Sequence, residues 1–391
     1  MLNTSLSPWP SFTQEEADAV SKVLLSNKVN YWTGTECREF EKEFAAFVST
    51  QYAVALSNGT LALDVALKAM GIGAGDDVIV TSRTFLASAS CIVTAGANPV
   101  FADVDLNSQN ISAETIKAAL TPNTKAVIVV HLAGMPAEMD GIMDLAKEHD
   151  LWVIEDCAQA HGAKYKGKSV GSIGHVGAWS FCQDKIMTTG GEGGMVTTND
   201  KELWSKMWSY KDHGKSYDAV YHREHAPGFR WLHESFGTNW RMMEMQAVIG
   251  RIQLKRMPEW TARRQAHAAK LAESLGKFAS IRLIEVADYI EHAQYKFYAF
   301  VKPEHLKEGW TRDRIVNELN ARKVPCYQGS CSEVYLEKAF DNTPWRPKER
   351  LKNAVQLGDT SLMFLVHPTL TDDEIAFCKE HIEAVLAEAT A

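Results

Sequence analysis

The segment YAVALSNGTLALDVALKAM, residues 52–70, decides the fold class, because an apolar strand-like run passes directly into a helix-like run. The same pairing recurs along the chain. Further apolar runs lie at 77–82, 99–104, 125–132 and 151–156, and helix-like segments separate them. Strands that are apolar along their whole length are typical of a parallel sheet with helices on both faces. We therefore predict an α/β fold with a mostly parallel sheet.

The pattern changes after the fifth apolar run. Two closely spaced strand-like runs, VGAWSF and GMVTTN, flank the glycine-rich TTGGEGG. A long helical segment follows from about residue 241 to residue 274, which Pro258 should interrupt or bend. Later strand-like runs, IRLIEV and QYKFYAFV, and two further helices indicate a smaller α+β unit. We predict a large cofactor-binding α/β domain over residues 1–250, opened by an N-terminal helix, and a small α+β domain over residues 251–391.

The composition is that of a globular protein large enough for two domains. The chain has 391 residues, of which 46% are hydrophobic and 23% are charged, so it can bury a large core. Its formal net charge is -8, and its lysines and arginines are scattered. Binding a nucleic acid requires a concentrated basic face. The composition therefore argues against a nucleic-acid partner and leaves room for a small anionic ligand.

The sequence gives no sign of export or of a membrane span. The first residues, MLNTSLSPWPSF, lack a basic segment followed by an apolar run, and no later stretch approaches the roughly 18 apolar residues of a spanning helix. The seven cysteines are widely spread and include no C-x-x-C pair. Reduced thiols in the core fit this pattern better than a disulfide framework. We expect a cytoplasmic protein.

Two motifs suggest chemistry that their surroundings do not support. The segment GAKYKGKS, residues 162–169, fits the phosphate-loop pattern G-x-x-x-x-G-K-[ST], but the glycines and β-branched residues that follow it oppose the helix which that loop requires. We predict a surface hairpin there. His222 and His225 have a spacing that metal ligands can have, but HREHAPGF is polar and interrupted by proline. We predict a loop and no metal site.

Residues that follow the predicted strands offer complementary chemistry. In a sheet of this kind, ligands bind beyond the carboxyl ends of the strands. The first strand is followed by Ser57, Asn58, Gly59 and Thr60 at the start of a helix, where backbone N–H groups and a hydroxyl can hold an anion. The aromatic side chain of Phe85 follows the second strand. We expect both to lie at one edge of the sheet.

The later strands add a carboxylate, an amide and a lysine. The fifth strand ends in Glu155 and Asp156, with Gln159 close behind, and the sixth is followed by Lys185. Taken singly, each of these residues has an ordinary structural explanation. Together with an anion site and an aromatic face, they are what pyridoxal phosphate needs: the lysine forms a Schiff base, and the carboxylate keeps the pyridine nitrogen protonated.

Nearly the whole chain resembles one known family. The motifs are, in order, LSNGTLALDVALKAMGIGAGDDVIV, RTFLASAS, ADVD, TPNTKAVIVVHLAG, VIEDCAQAHGAKYKGKSVGSIG, SFCQDKIMTTGGEGGMVTTND, KDHG and GTNWRMMEMQAVIG. This order resembles the sugar-nucleotide aminotransferases of the DegT/StrS group, which have the fold type I architecture of aspartate aminotransferase. The resemblance implies pyridoxal 5′-phosphate as the cofactor.

The resemblance also assigns roles around the ring of the cofactor. It implies that Lys185 is the Schiff-base lysine and that Asp156 is the partner of the pyridine nitrogen. Gln159 would contact the cofactor near its phenolic oxygen, and Phe85 would stack on its ring. Lys185 argues against the branch of the family that has histidine there and removes a sugar hydroxyl.

The phosphate of the cofactor would be held by residues of two subunits. The resemblance implies that Gly59, Thr60 and Ser180 bind it from one chain, and that Asn239 reaches it from the neighbouring chain. The protein would then be a homodimer with active sites at the interface.

The resemblance implies the reaction more firmly than the substrate. We expect an amino group to pass from glutamate to a nucleotide-linked keto-deoxysugar, with the 4-keto-6-deoxyhexoses as the leading class, in synthesis of an amino sugar for a surface polysaccharide or related glycan. The family often has an aromatic residue in the place of Ala133 and a histidine in the place of Cys182, which leaves the substrate open. A keto-cyclitol or another keto compound is the alternative acceptor; a sugar dehydratase and a non-catalytic regulatory protein are less favoured.

Overall fold

The protein is described here from a computed structural model that covers residues 6–224, 228 and 230–391. Its strands are β1 (Tyr52–Leu56), β2 (Asp77–Thr81), β3 (Asn98–Ala102), β4 (Thr124–Val130), β5 (Trp152–Asp156), β6 (Lys164–Tyr165), β7 (Lys168–Ser169), β8 (Val176–Ser180), β9 (Gly194–Thr198), β10 (Ile281–Leu283), β11 (Ile290–Glu291), β12 (Phe297–Val301), β13 (Cys326–Tyr327) and β14 (Ser361–Phe364). Its α-helices are α1 (Gln14–Leu25), α2 (Glu36–Val48), α3 (Gly59–Ala69), α4 (Ala87–Thr94), α5 (Ala113–Ala119), α6 (Met139–Glu148), α7 (Lys201–Tyr210), α8 (Tyr217–Tyr221), α9 (Glu244–Leu275), α10 (Arg312–Ala321), α11 (Lys352–Thr360) and α12 (Asp372–Ala389).

The largest sheet has seven strands in the order β1-β9-β8-β5-β4-β2-β3. Strands β3, β2, β4, β5 and β8 are parallel, and β9 runs antiparallel between β8 and β1. All the strands except β9 therefore point the same way, and their carboxyl ends meet at one edge. The α/β fold with a mostly parallel sheet is confirmed.

The alternation of side chains along these strands explains why they are apolar throughout. Successive residues of a strand face opposite sides of a sheet. One set packs with helices α3, α4 and α7, and it includes Val54, Val78, Ile128 and Ile154. The other set packs with α2 and α6, and it includes Ala55, Ile79, Val127 and Val153. Both faces of the sheet are buried, so polar residues do not alternate with apolar ones along these strands.

A second, antiparallel sheet lies in the carboxyl-terminal part, with strand order β10-β12-β14-β13. Its core is shared with α9, α10 and α12. Helix α9 leads to it, and this helix runs through Pro258 without interruption. The domain boundary at residue 250 falls inside the same helix and stays a prediction.

Several local predictions can be compared with the structure. The expected N-terminal helix is α1, which Thr13 caps through a capping box with Glu16. Residues 162–169 form the expected hairpin, since β6 and β7 pair antiparallel around a tight turn. All seven cysteines are free, and most of them are buried. His225, part of the predicted loop, lies outside the described residues.

None of the helices in the described parts of the chain combines the length and the apolar character that crossing a bilayer requires.

Candidate active site

A cleft of about 630 Å³ opens at the carboxyl ends of the large sheet. Seven of the eight residues predicted for the cofactor site line it: Gly59, Thr60, Phe85, Asp156, Gln159, Ser180 and Lys185. They come from four separate segments of the chain, which belong to the ends of β1, β2, β5 and β8. The sheet brings them together because each segment follows the carboxyl end of a strand, or lies on it.

One end of the cleft is suited to an anion. Asn58 caps α3 by accepting a backbone hydrogen bond from the first turn, which leaves the N–H groups at Gly59 and Thr60 at the helix start. The hydroxyls of Thr60 and Ser180 lie on the same cleft. A Cβ on Gly59 would lie 2.5 Å from the Cβ of Ser180, and one on Gly194 would lie 2.2 Å from the carbonyl oxygen of Asn58. Only glycine at these two positions allows the backbone to form so narrow a cradle.

The carboxylate of Asp156 lines the cleft. Its Oδ2 accepts a hydrogen bond of 2.8 Å from the Ser88 hydroxyl, and its Oδ1 accepts one of 3.1 Å from the backbone N–H of Ala158. Burial raises the pKa of Asp156 above its ordinary value, and these two hydrogen bonds offset part of that rise. A cationic ring nitrogen placed against this carboxylate would stabilise its charge.

The neighbouring carboxylate, Glu155, has a different role. Adjacent strand residues face opposite sides, so Glu155 points away from the cleft, where it accepts hydrogen bonds from three backbone N–H groups of residues 171–174 and one from His131. Burial opposes its ionisation, but the bonds from His131 and the backbone outweigh this and lower its pKa.

His131, Glu155 and Cys157 place potential metal-ligand atoms within 4.8 Å of one another. The Nδ1 of His131 already accepts a backbone hydrogen bond, and its Nε2 faces Glu155. Burial raises the pKa of the Cys157 thiol, which disfavours the thiolate that metals require. The group therefore acts as a hydrogen-bond network that fixes the loop after β7.

Lys185 enters the cleft from the turn after β8. Its Nζ lies 3.6 Å from Oδ1 of Asp184 and 5.4 Å from the ring centroid of Tyr295. The Tyr295 hydroxyl donates to the other oxygen of Asp184, and the indole N–H of Trp9 donates to the backbone carbonyl of Lys185 at 2.8 Å. Trp9 and Tyr295, which are distant from Lys185 in sequence, thus fix the backbone at Lys185 and the position of the neighbouring carboxylate.

The remaining predicted ring contacts also face the cleft. The Oε1 of Gln159 accepts a hydrogen bond of 2.8 Å from the backbone N–H of Ala133, which leaves its NH₂ group as a donor. Phe85 is largely exposed at the mouth, so one face of its ring is available for stacking. Cys182 lines the cleft directly. Ala133 is buried and reaches the cleft through its bond to Gln159.

Asn239 is not among the described residues that line the cleft of its own chain. It is exposed, and its backbone forms a bridge with Asp212. Its predicted contact with the cofactor stays a prediction, and it requires a second chain.

Sequence reasoning missed four residues that shape the cleft: Trp9, Ser88, Asp184 and Tyr295. Ser88 is the second residue of α4, three residues after Phe85, and Asp184 precedes Lys185, so proximity to the predicted residues could have indicated both. Trp9 and Tyr295 are separated from Lys185 by more than a hundred residues and carry no local signal.

The anion cradle, the carboxylate of Asp156, the amine of Lys185 and the ring of Phe85 all face one cleft. Pyridoxal phosphate requires contacts of these four kinds. The fold, with its large mostly parallel sheet, is that of the fold type I pyridoxal-phosphate enzymes. The residues present fit this cofactor.

The chain belongs to the DegT/DnrJ/EryC1/StrS aminotransferase family, whose sequence model matches residues 10–383. The crystal structure of the aminotransferase from Psychrobacter cryohalolentis matches 98% of this chain and 99% of that one, with 65% identity and a TM-score of 0.96. GDP-perosamine synthase of Escherichia coli is 42% identical over 95% of this chain and 96% of that protein. The UDP-N-acetyl-3-dehydro-alpha-D-glucosamine 3-aminotransferase of Acidithiobacillus ferrooxidans is 41% identical over 91% of this chain and 90% of that protein. The protein is therefore a pyridoxal-phosphate-dependent aminotransferase.

Proposed function

We propose that this aminotransferase moves an amino group from glutamate to the keto group of a nucleotide-linked deoxysugar. The observation that carries the proposal is the presence of Lys185 and the buried Asp156 in one cleft, beside an anion cradle. Relatives named for GDP-linked and UDP-linked amino sugars support the substrate class. The sequence alone supports a cytoplasmic location, which stays a prediction.

The residues of the cleft divide the work of holding the cofactor. We assign the phosphate to Gly59, Thr60 and Ser180, whose backbone and hydroxyl donors suit an anion. Asp156 holds the proton on the ring nitrogen, and the NH₂ group of Gln159 donates toward the phenolic oxygen. When bound, pyridoxal phosphate supplies an electron sink for the carbon that gains or loses the amine.

Lys185 has two roles in this proposal. Its Nζ would hold the cofactor between turnovers, and as a free amine during turnover the same Nζ would move a proton to and from the reacting carbon. Asp184 and Tyr295, which are hydrogen-bonded to each other, lie close to this amine and limit the directions in which it can move. The second half-reaction uses the same groups in reverse order.

We further propose that the active enzyme is a homodimer. Asn239 is exposed in its own chain, and two aromatic residues of the same segment, Trp231 and Phe236, are 91% and 98% exposed. Large aromatic side chains in water are unfavourable and commonly mark an interface. A second chain that covers them would bring Asn239 toward the partner's phosphate cradle.

Single-turnover reactions test the proposed function. Enzyme carrying the amine form of the cofactor is mixed with nucleotide-linked 4-keto-6-deoxyhexoses bearing GDP, UDP or dTDP, and with a free keto-cyclitol. We expect one nucleotide-linked sugar to gain an amine, detected by mass spectrometry, and the Lys185→Ala variant to give none. Amination of the keto-cyclitol alone would replace the sugar-nucleotide assignment.

A further inference from the structure

A second cavity lies beside the cleft, on the other side of Asp184. Its volume is about 740 Å³, and Trp9, Asp184, Lys296 and His367 are among the residues that line it. Asp184 also lines the cleft that holds Lys185. A substrate bound at Lys185 can therefore place a part of itself against this second cavity.

Lys296 makes this cavity cationic. Its side chain is mostly buried, and its Nζ lies 4.7 Å from the ring centroid of Tyr295, which also faces Lys185. Within the described residues, no hydrogen bond or ion pair joins this Nζ to another side chain. Burial lowers the pKa of Lys296 to about 8. A lysine that faces a cavity and has no hydrogen bond or ion pair to a carboxylate in the described residues is suited to receive an anion.

A second cation lies behind the wall of the cavity. Arg264 is fully buried, and its guanidinium carbon lies 4.9 Å from the ring centroid of Trp9. Its Nη1 donates to the carbonyl of Tyr295 at 3.5 Å, whereas its Nε and Nη2 have no partner in the described part of the chain. Leaving donors of a buried charge unpaired is costly.

The negative charge nearby does not balance these cations. Among the described residues that line this cavity, Asp184 is the one carboxylate; it interacts with Lys185, with the Tyr295 hydroxyl and, through its charge, with Lys296. His367 adds no charge near neutral pH, because burial lowers its pKa to about 3. The region therefore has an excess of positive charge next to the reactive lysine.

We infer that this cavity is an anion subsite for a substrate of the transamination, in which Lys296 binds the anionic oxygens. Arg264 is a positioning residue, because its guanidinium lies behind Trp9 and adds positive potential to the cavity. The inference rests on the proposed function. The anionic oxygens belong either to a carboxylate of the amino donor or to the diphosphate of the nucleotide-linked acceptor, since both substrates carry such a group.

Calorimetry with separate probes distinguishes the two sources. Glutarate represents the donor carboxylates, and GDP, UDP and dTDP represent the diphosphate; each is titrated into the cofactor-loaded protein. We expect Lys296→Met to weaken one kind of probe roughly 10- to 100-fold, because hydrogen bonds to charged groups are strong. Loss of glutarate binding would show that the subsite binds a carboxylate of the amino donor. Loss of nucleotide binding would show that it binds the diphosphate of the acceptor.

Lys302→Met is the matched control. Strand β12 lies between the two lysines, so Lys302 is about 20 Å from Lys296. The substitution Lys302→Met removes the same charge as Lys296→Met. Unchanged binding of every probe in Lys296→Met, or equal weakening in both variants, would overturn the inference, as would a wild-type protein that binds no probe. The binding test is independent of turnover, so it can succeed even where no keto sugar is aminated.

Thermal unfolding separates a binding role from a structural one. Lys296→Met removes no described hydrogen bond, so we expect its melting temperature to be unchanged or raised. Arg264→Met should weaken the same probe by a smaller factor than Lys296→Met. A lower melting temperature with unchanged probe binding in Lys296→Met would show that Lys296 only supports the fold.

Discussion

The hydroxyl of Ser88 donates a hydrogen bond of 2.8 Å to Oδ2 of Asp156, and Thr84 bonds to the same hydroxyl at 2.8 Å. Ser88 lies in the first half of α4, and Asp156 is the last residue of β5. Burial raises the pKa of Asp156, whereas the bond from Ser88 lowers it. The helix that follows Phe85 therefore helps to keep the carboxylate ionised.

We predict that Ser88→Ala lowers kcat by about tenfold, the scale of a hydrogen bond to a charged group. Without this donor the pKa of Asp156 rises, so the carboxylate competes better for the proton of the ring nitrogen. The acidic limb of the kcat–pH profile should move to higher pH. Ser90→Ala is the control, because Ser90 is on the same helix about 200° away around its axis. Equal profiles for the two variants would contradict the prediction.

Exchange of the two adjacent carboxylates for amides should affect different properties, turnover for Asp156 and stability for Glu155. Asp156→Asn should lower kcat about 100-fold or more with little loss of stability, since an amide cannot hold the proton on the ring nitrogen. Glu155→Gln should lower the free energy of unfolding by about 1–3 kcal/mol, because charged hydrogen bonds to the loop at 171–174 are weakened.

Steady-state kinetics and denaturant unfolding of both variants measure these effects. Glu155→Gln should retain most of its turnover per folded molecule. Near-normal turnover in Asp156→Asn would show that Asp156 is only a structural acid.

The fold was predictable because its signals are local. Strands β1 to β5 are apolar along their length, and the residues that follow them lie at one edge by topology alone. The helical path through Pro258 was not predictable in this way, since packing of α9 against α1, α2 and α12 overrides the local cost of proline. The cavity around Lys296 depends on contacts between Trp9, Arg264 and Tyr295, which only the folded chain brings together.

Lys185 should be the lysine that carries the cofactor, although it is not the most accessible one. Its side chain is 18% exposed, against 44% for Lys164 and 48% for Lys166 in the surface hairpin. Reaction governed by access alone would favour the hairpin. We predict that borohydride reduction fixes pyridoxal phosphate to the peptide that contains Lys185, as read by mass spectrometry.

In Lys185→Ala, the phosphate cradle and Asp156 remain, so we expect the variant to bind pyridoxal phosphate without a covalent bond and to lose nearly all turnover. Attachment to Lys164 or Lys166 in the unmutated protein would refute the assignment of Lys185.

Mixing two inactive variants tests the role of Asn239 across the proposed interface. Lys185→Ala and Asn239→Asp should each be inactive as homodimers. In a mixed dimer, one site combines an intact Lys185 with an intact Asn239, and the other carries both lesions. Random exchange of equal amounts should restore about a quarter of the wild-type sites, because half of the dimers are mixed. No recovery after verified subunit exchange would place Asn239 outside the partner's site.

The titratable groups that face Lys296 keep their charge states near neutral pH, so a change in binding over this range can be attributed to Lys296. Asp184 has a pKa below its ordinary value, in spite of partial burial, because of Lys185 and the Tyr295 hydroxyl, so it stays ionised above pH 7. Burial raises the pKa of Tyr295 well above 10. His367 stays neutral. Arg264 keeps its charge, since a guanidinium is not deprotonated in proteins even where burial lowers its pKa.

Binding of the anionic probe should therefore weaken as the pH rises through the pKa of Lys296. Burial first, and then the charges of Arg264 and Lys185, lower this pKa to about 8, so the ammonium form predominates at pH 7 and is lost above pH 8. Calorimetric titrations between about pH 7 and about pH 9.5 should show the affinity falling by up to about tenfold per pH unit above 8. Lys296→Met should lose this decline together with the affinity, whereas Lys302→Met should keep both. An affinity in the wild-type protein that stays constant across this range would mean that the ammonium of Lys296 does not contact the anion.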